Sequence, residues 1–331
     1  MRRGCRFFFP ALFSVCALLS RGEPHAVLKL AAWIAIAFLL GRFVRPAWAF
    51  AALAGAGVAE SALGTFQFVF HTSIGFGLLG EPVLGPLDGD IARTFVSGGR
   101  LLRAYGTFPH PNILAAFLVL SLAAWLYFFM RARARARIAL MVPIFAVCLG
   151  LLLTFSRAGW VAAAAVVFGM CLLVRKSDRP AAQGVLLSVS FTAFSLAVIL
   201  WWAVFPRIDI GAHDYTITSR TAGYGEAAAA IRARPWFGSG MTLRMGSDPV
   251  HSLYLSIAKE TGLAGLAVFL AWMGSALRVS FRDPSHEIRT FGIMLGSLLL
   301  LGLSDHFLWT LRPGAAMLWG VVGLISFRSR S

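Results

Sequence analysis

Between Phe205 and Glu260 lie Arg207, Arg220, Arg232, Arg234, Arg244, His213 and His251, in the one long polar, turn-rich run of an otherwise apolar chain. Forked guanidinium groups suit phosphate oxygens, and a neutral imidazole can take a proton from an attacking hydroxyl. His251 follows Asp248-Pro249. Asp is a favoured N-cap and Pro a favoured first helical residue, so the sequence predicts a helix whose first turn holds His251. The helix dipole there disfavours imidazolium and keeps the ring able to accept a proton. The plainer reading is an interfacial histidine with a structural role. Upstream, Ser219 predicts the cap of a helix running from about Arg220 to Ala233 and stopped by Pro235, with Arg220 and Tyr224 one turn apart on one face. A Gly238-Ser-Gly240 turn follows.

Few other polar residues sit near the apolar spans. Glu60, Gly64, Gln67 and His71 fall at i, i+4, i+7 and i+11, one stripe of a helix. A carboxylate within a membrane is expensive, so Glu60 reads either as the wall of an open cavity or as a protonated partner in an interhelical hydrogen bond. Asp88-Gly-Asp90 reads as a solvated turn or as a cation and sugar-phosphate ligand pair. Pro111 opens a helix with Asn112 at its mouth. Arg157, in the tight turn Thr154-Phe-Ser-Arg-Ala-Gly-Trp160, either snorkels to headgroups or holds a phosphate. Glu260, Gly262 and Gly265 lead into an apolar span, where the glycines permit close helix contact. Asp305 either pairs with an arginine or caps a plain interfacial turn.

The elements that must position these groups are membrane helices. The 331 residues are 58% hydrophobic and 13% charged, with a mean hydropathy of +0.76, which excludes a soluble globule. Ten apolar spans are expected, at about 7–20, 26–41, 46–70, 111–130, 138–154, 158–175, 184–204, 262–279, 288–304 and 313–328. The fold class is an all-α polytopic transmembrane bundle with a large, partly helical outer loop. In chain order it comprises N-terminal helices (1–70), a first outer loop (71–110), central helices (111–204), a large loop with the site residues (205–261) and C-terminal helices (262–331). No small-x-small cleavage pattern stands near Ser20, so the first span is expected to be retained. Cys5, Cys16, Cys148 and Cys171 lie in or beside apolar spans and read as buried hydrophobes. With the N-terminus in the cytoplasm, 17 of the 30 Lys and Arg residues fall on inner segments. Only Arg21, Lys29, Arg157 and Arg312 fall on short outer turns. Both long loops then face outward, to the periplasm or cell exterior. The formal charge of +16 is a topology signal and a magnet for anionic lipid, with no nucleic-acid partner expected.

Four stretches, in order, resemble the O-antigen ligase/O-antigen polymerase family of bacterial inner-membrane glycosyltransferases. They are GTFPHPNILAAFL from Gly106, LTFSRAGW from Leu153, the Arg, Pro-Trp-Phe and Gly-x-Gly elements within Arg220–Gly240, and HSLYLSIAKETGLAGLAVF from His251. Many members carry Asn after the histidine, where this chain has Ser252. The resemblance implies a glycan donor on undecaprenyl pyrophosphate and a lipid or glycan acceptor. It further implies that Arg157 and Arg220 bind the pyrophosphate and that His251 is the base. Asn112, Tyr224, Glu60, Glu260 and Asp305 would support the cavity, and neither a metal nor another cofactor is expected. Repeat-unit polymerisation and transfer to protein remain open within the family. Outside it stand a metal-dependent sugar transferase built on Asp88 and Asp90, and a transporter of lipid-linked glycans, for which paired internal repeats are missing.

Overall fold

The computed structural model describes residues 5–20, 23–85, 91–96, 99–173, 184, 214–241 and 250–327. Among them are eleven helices: α1 (Cys5–Leu19), α2 (Pro24–Phe43), α3 (Pro46–Phe70), α4 (Pro111–Arg131), α5 (Ala134–Leu153), α6 (Arg157–Leu172), α7 (Asp214–Ala233), α8 (Leu253–Arg282), α9 (His286–Leu301), α10 (Phe307–Thr310) and α11 (Arg312–Ser326). Five of them, α2, α3, α4, α5 and α8, are long and apolar enough to cross a membrane. This is an all-α, multi-pass membrane protein. The expected spans at 46–70 and 111–130 match α3 and α4 closely. The expected span at 184–204 lies, apart from Gly184, outside the described residues.

The first loop carries regular structure that the sequence reading did not foresee. It holds a short 3-10 turn, Gly77–Leu79, and an antiparallel hairpin of β1 (Arg93–Val96) and β2 (Gly99–Leu102), with Arg93 opposite Leu102 and Val96 opposite Gly99. Strands of four residues are too short to print an alternating pattern in sequence.

The chain divides into two compact units, one of residues 1–46 and 213–331 and one of residues 47–212. In the first, α1 and α2 pack with the C-terminal helices. Trp272, Trp319, Phe13, Phe269 and Phe291 are fully buried there, and the Phe13 ring lies 6.0 Å from Phe269 and 5.9 Å from Trp309. In the second, α4 runs through the middle. Its residues from Ile113 to Ala116 and from Leu118 to Ala124 are all buried, as expected of a helix apolar on every side. Phe50 of α3 stacks on Tyr127 of α4 at 4.3 Å.

The polar stripe of α3 has a definite partner. Glu60 accepts from Thr107 N–H at 2.8 Å and from the Thr107 hydroxyl at 2.6 Å. Gln67 Oε1 accepts from Tyr105 and Gly106 N–H at 3.1 and 2.8 Å, and its amide donates to Gly106 O at 3.0 Å and Glu81 Oε1 at 2.9 Å. His71 Nδ1 accepts from Leu102 N–H at 3.4 Å. The stripe therefore seats the backbone of residues 102–107. The Glu60 partner is thus the loop residue Thr107 rather than a side chain of another helix. Gly106 has φ +59, and a Cβ there would strike Glu60 Oε2, so the seat requires glycine.

Glu81, 6% exposed, extends the arrangement by accepting from the N–H groups of Ile74, Gly75 and Phe76 at 2.6–2.8 Å. Burial pushes its carboxyl up, but the bonds from Gln67 and these three amides outweigh burial and hold it below the usual glutamate range. Its contribution to stability is thus present above the ordinary glutamate pKa and lost as pH falls through the depressed value.

Gln67 is completely buried. Gln67→Leu strands the Tyr105 and Gly106 amides, at about 1–3 kcal/mol each. The loss of protection at residues 102–107 should therefore be large by hydrogen exchange, with α4 and α5 unaffected. Unchanged exchange at Tyr105 and Gly106 would refute the seat.

Candidate active site

In the first unit, His251 stands half-buried just ahead of α8. The sequence placed it inside the first helical turn; the helix instead begins at Leu253. Ser252 is its N-cap, its hydroxyl accepting from Leu255 N–H at 3.5 Å. Ser252 is as good a cap as Asp248, and the more C-terminal of the two sets the helix start. Asp248 and Pro249 lie outside the described residues. The imidazole is therefore carried by a bend at the positive end of α8, closed by Ser252 N–H donating to Val250 O at 2.6 Å.

That backbone is pinned on both sides. Leu253 N–H donates to Gly302 O at 2.8 Å, the Tyr254 hydroxyl donates to Leu299 O at 2.8 Å, and the Tyr224 hydroxyl donates to His251 O at 3.2 Å. Tyr224 lies on α7, which starts at Asp214, so Ser219 is inside the helix rather than its cap. Arg220 sits in the same helix one turn before Tyr224. The tie from Tyr224 thus fixes the backbone turn carrying Arg220 relative to the histidine.

The turn after α9 meets His251 as well. The His251 and His306 rings lie 5.6 Å apart, and His251, Asp305 and His306 each present a nitrogen or oxygen within 4.8 Å of the others. Asp305 Oδ1 accepts from His306 N–H at 2.8 Å, and His306 Nδ1 pairs with Thr310 Oγ1 at 2.6 Å. Burial holds the His306 ring below the ordinary histidine range. Asp305 opposes that shift and the neighbouring His251 adds to it. His306 was not singled out from sequence; its only signal was adjacency to Asp305. Glu260 accepts from Trp309 Nε1 at 2.8 Å, tying α8 to α10.

Gly262 does more than permit close contact. It has φ 74 and ψ 179 and breaks α8. The break frees two carbonyls and two amides, and the chain after α7 fills all four. Ser239 and Gly240 N–H donate to Lys259 O and Glu260 O at 2.9 and 3.0 Å, while Leu263 and Ala264 N–H donate to Pro235 O and Trp236 O at 2.7 and 3.3 Å. The Ser239 hydroxyl adds a bond to Lys259 O at 2.9 Å. Irregular backbone at such a site is tolerable because the protein itself supplies partners.

In the second unit, Arg157 is the first residue of α6 and is exposed. Ser156 caps the helix, accepting from Gly159 N–H at 3.3 Å. The preceding Phe155 takes φ 49 and stacks on Phe68. A cationic side chain at a helix N-terminus is poorly placed for the dipole, but together with the free amides there it suits an anion. Arg103, which sequence reasoning passed over as one more loop charge, braces this turn. Its Nε donates to Thr154 O at 2.6 Å and its Nη2 to Asn112 Oδ1 at 2.9 Å. Asn112 follows Pro111 at the start of α4, where His110 is the N-cap.

The structure thus joins His251, Tyr224 and Asp305 in one unit, and Asn112 with the Arg157 turn in the other. Glu60 belongs to the loop seat. Arg207, His213, Arg244, Asp88 and Asp90 lie outside the described residues, as does the Arg220 side chain.

Sequence comparison finds no match among curated proteins. The chain is similar in structure, over 98% of its length and 96% of the other chain, to one solved in work on the structural coordination of polymerization and crosslinking by a peptidoglycan synthase complex. The TM-score is 0.44 and the sequence identity 17%. Residues 142–270 match the Wzy_C family model, described as O-antigen ligase. That range encloses Arg157, Arg220, Tyr224, His251, Glu260 and the Gly262 break. Over these residues the chain is similar to the O-antigen ligase family.

Proposed function

We infer that this protein is an inner-membrane glycosyltransferase that moves a glycan from undecaprenyl pyrophosphate to an acceptor hydroxyl on the non-cytoplasmic face, as an O-antigen ligase does. The observation that carries the reading is the O-antigen ligase match, because it holds Arg157, Arg220 and His251 in one stretch. Arg157 and Arg220 bind the pyrophosphate and stabilise the charge that grows on it as the glycosidic bond breaks. His251 takes the proton from the acceptor hydroxyl as its oxygen attacks the anomeric carbon. Two cations on the leaving group serve where other transferases use a metal. The pyrophosphate leaving group supplies the driving force.

The same residues serve three acceptors: a lipid core, a growing repeat-unit chain, or protein. The compound that accumulates on deletion tells these apart, with unligated long chains marking a ligase and single repeat units a polymerase.

One arginine–phosphate contact at about 4 Å is worth about 4 kcal/mol at an effective dielectric near 20, and less for an exposed side chain. Purified Arg157→Ala and Arg220→Ala variants should therefore transfer glycan from the carrier about 10–1,000-fold more slowly. Wild-type rates in both would overturn the reading.

A further inference from the structure

We propose that His251, Asp305 and His306 form a binding site for a divalent transition-metal ion of the zinc type, and that its occupancy switches the enzyme off. The second half rests on the reading of His251 as the base. The three side chains come from two distant parts of the chain, the segment before α8 and the turn after α9. Each offers one nitrogen or oxygen, all within 4.8 Å of one another. Zinc with nitrogen and oxygen ligands at about 2.0–2.2 Å holds its donor atoms roughly 3.3–3.5 Å apart. Closing the cluster around an ion therefore needs side-chain shifts on the order of 1 Å.

The donor set and its surroundings select the ion. Two imidazoles and one carboxylate suit zinc and its neighbours, whereas magnesium and calcium favour oxygen. The Thr310 hydroxyl sets the tautomer of His306. The Thr310 hydroxyl lies 3.3 Å from His306 O and 2.6 Å from His306 Nδ1. Donating its hydrogen to the carbonyl, that hydroxyl accepts from Nδ1–H, which leaves the lone pair on Nε2. Second partners of this kind fix the tautomer of metal-binding histidines. Asp305 is steadied in the same way by the 2.8 Å bond from His306 N–H.

An ion held here occupies the lone pair with which His251 would accept the acceptor's proton. Transfer stops while the ion is bound and resumes when it leaves. No covalent bond is made or broken in the switch.

The test uses the full-length protein without a histidine tag, stripped by chelator and titrated with zinc against a fluorescent zinc indicator. Cobalt absorption spectra serve as a second probe of the same ligands. One zinc per chain is expected to bind. His306→Gln should abolish that binding, and Thr310→Val, which keeps all three ligands, should weaken it about 10–100-fold. Monodisperse elution of each variant checks its fold. Zinc should inhibit glycan transfer, chelator should restore it, and magnesium should do neither. Absence of zinc binding, or binding unchanged in both variants, overturns the site. Zinc that binds there but leaves transfer unchanged, or stimulates it, overturns the switch. A protein that binds zinc at these residues but transfers no glycan at all refutes the proposed reaction and leaves the metal site standing.

Discussion

His251→Ala is expected to lower glycan transfer by about 100–10,000-fold, the usual range for loss of a general base, in a protein that still folds. The contacts that hold this segment are made by its backbone and its neighbours. Tyr224 bonds the His251 carbonyl, Leu253 N–H bonds Gly302 O, and Ser252 caps α8. None needs the imidazole. The variant should therefore insert, elute as the wild type does and bind donor, so the loss should fall on kcat with KM nearly unchanged. Added imidazole should restore part of the rate. A purified variant that transfers carrier-linked glycan at the normal rate would remove His251 from the mechanism.

Gly262→Ala is expected to be among the most damaging substitutions in the first unit. The pairing φ 74, ψ 179 is open essentially to glycine alone and costs other residues about 1–3 kcal/mol. The new Cβ would also strike the Trp236 carbonyl, which is backbone and has nowhere to go. Moving it sacrifices the bonds from Leu263 and Ala264, at about 1–3 kcal/mol for each amide left bare. The total is roughly 3–9 kcal/mol, visible as a large drop in unfolding temperature in detergent and as new proteolysis between 235 and 241. Gly274, farther along α8, supplies the control. A Cβ there meets nothing within 4 Å, so Gly274→Ala should be neutral or stabilising by about 0.5–1 kcal/mol. Equal stability of the two variants would refute the account of the break.

The residues explain what sequence could and could not foretell. Helices α3 and α4 were legible because Pro46, Pro111 and long apolar runs mark their limits by local chemistry. The Arg157 turn was legible for the same reason, with Thr154 and Ser156 flanking a tight reversal. The α8 start was misread because Asp248 and Ser252 are both competent caps, and tertiary contacts at Leu253 and Tyr254 decide between them. Gly262 was read as a packing glycine, since the helix break exists only in partnership with residues 235–240. Glu60 and Gln67 were seen as a stripe, but their partner is a stretch of main chain, and main-chain amides leave no trace in residue identity. Arg103 and His306 escaped for a related reason: each gains its meaning from a residue tens of positions away.

The four main-chain bonds between 235–240 and 259–264 also set how this part of the protein can move. A flap that swings open gives its amides and carbonyls to water. Here an outward swing would leave Lys259, Glu260, Leu263 and Ala264 bare in the middle of a broken helix. The connector and the first half of α8 are thus geared together, so any rearrangement there proceeds at the pace of a shifting helix and carries the backbone of Glu260 with it.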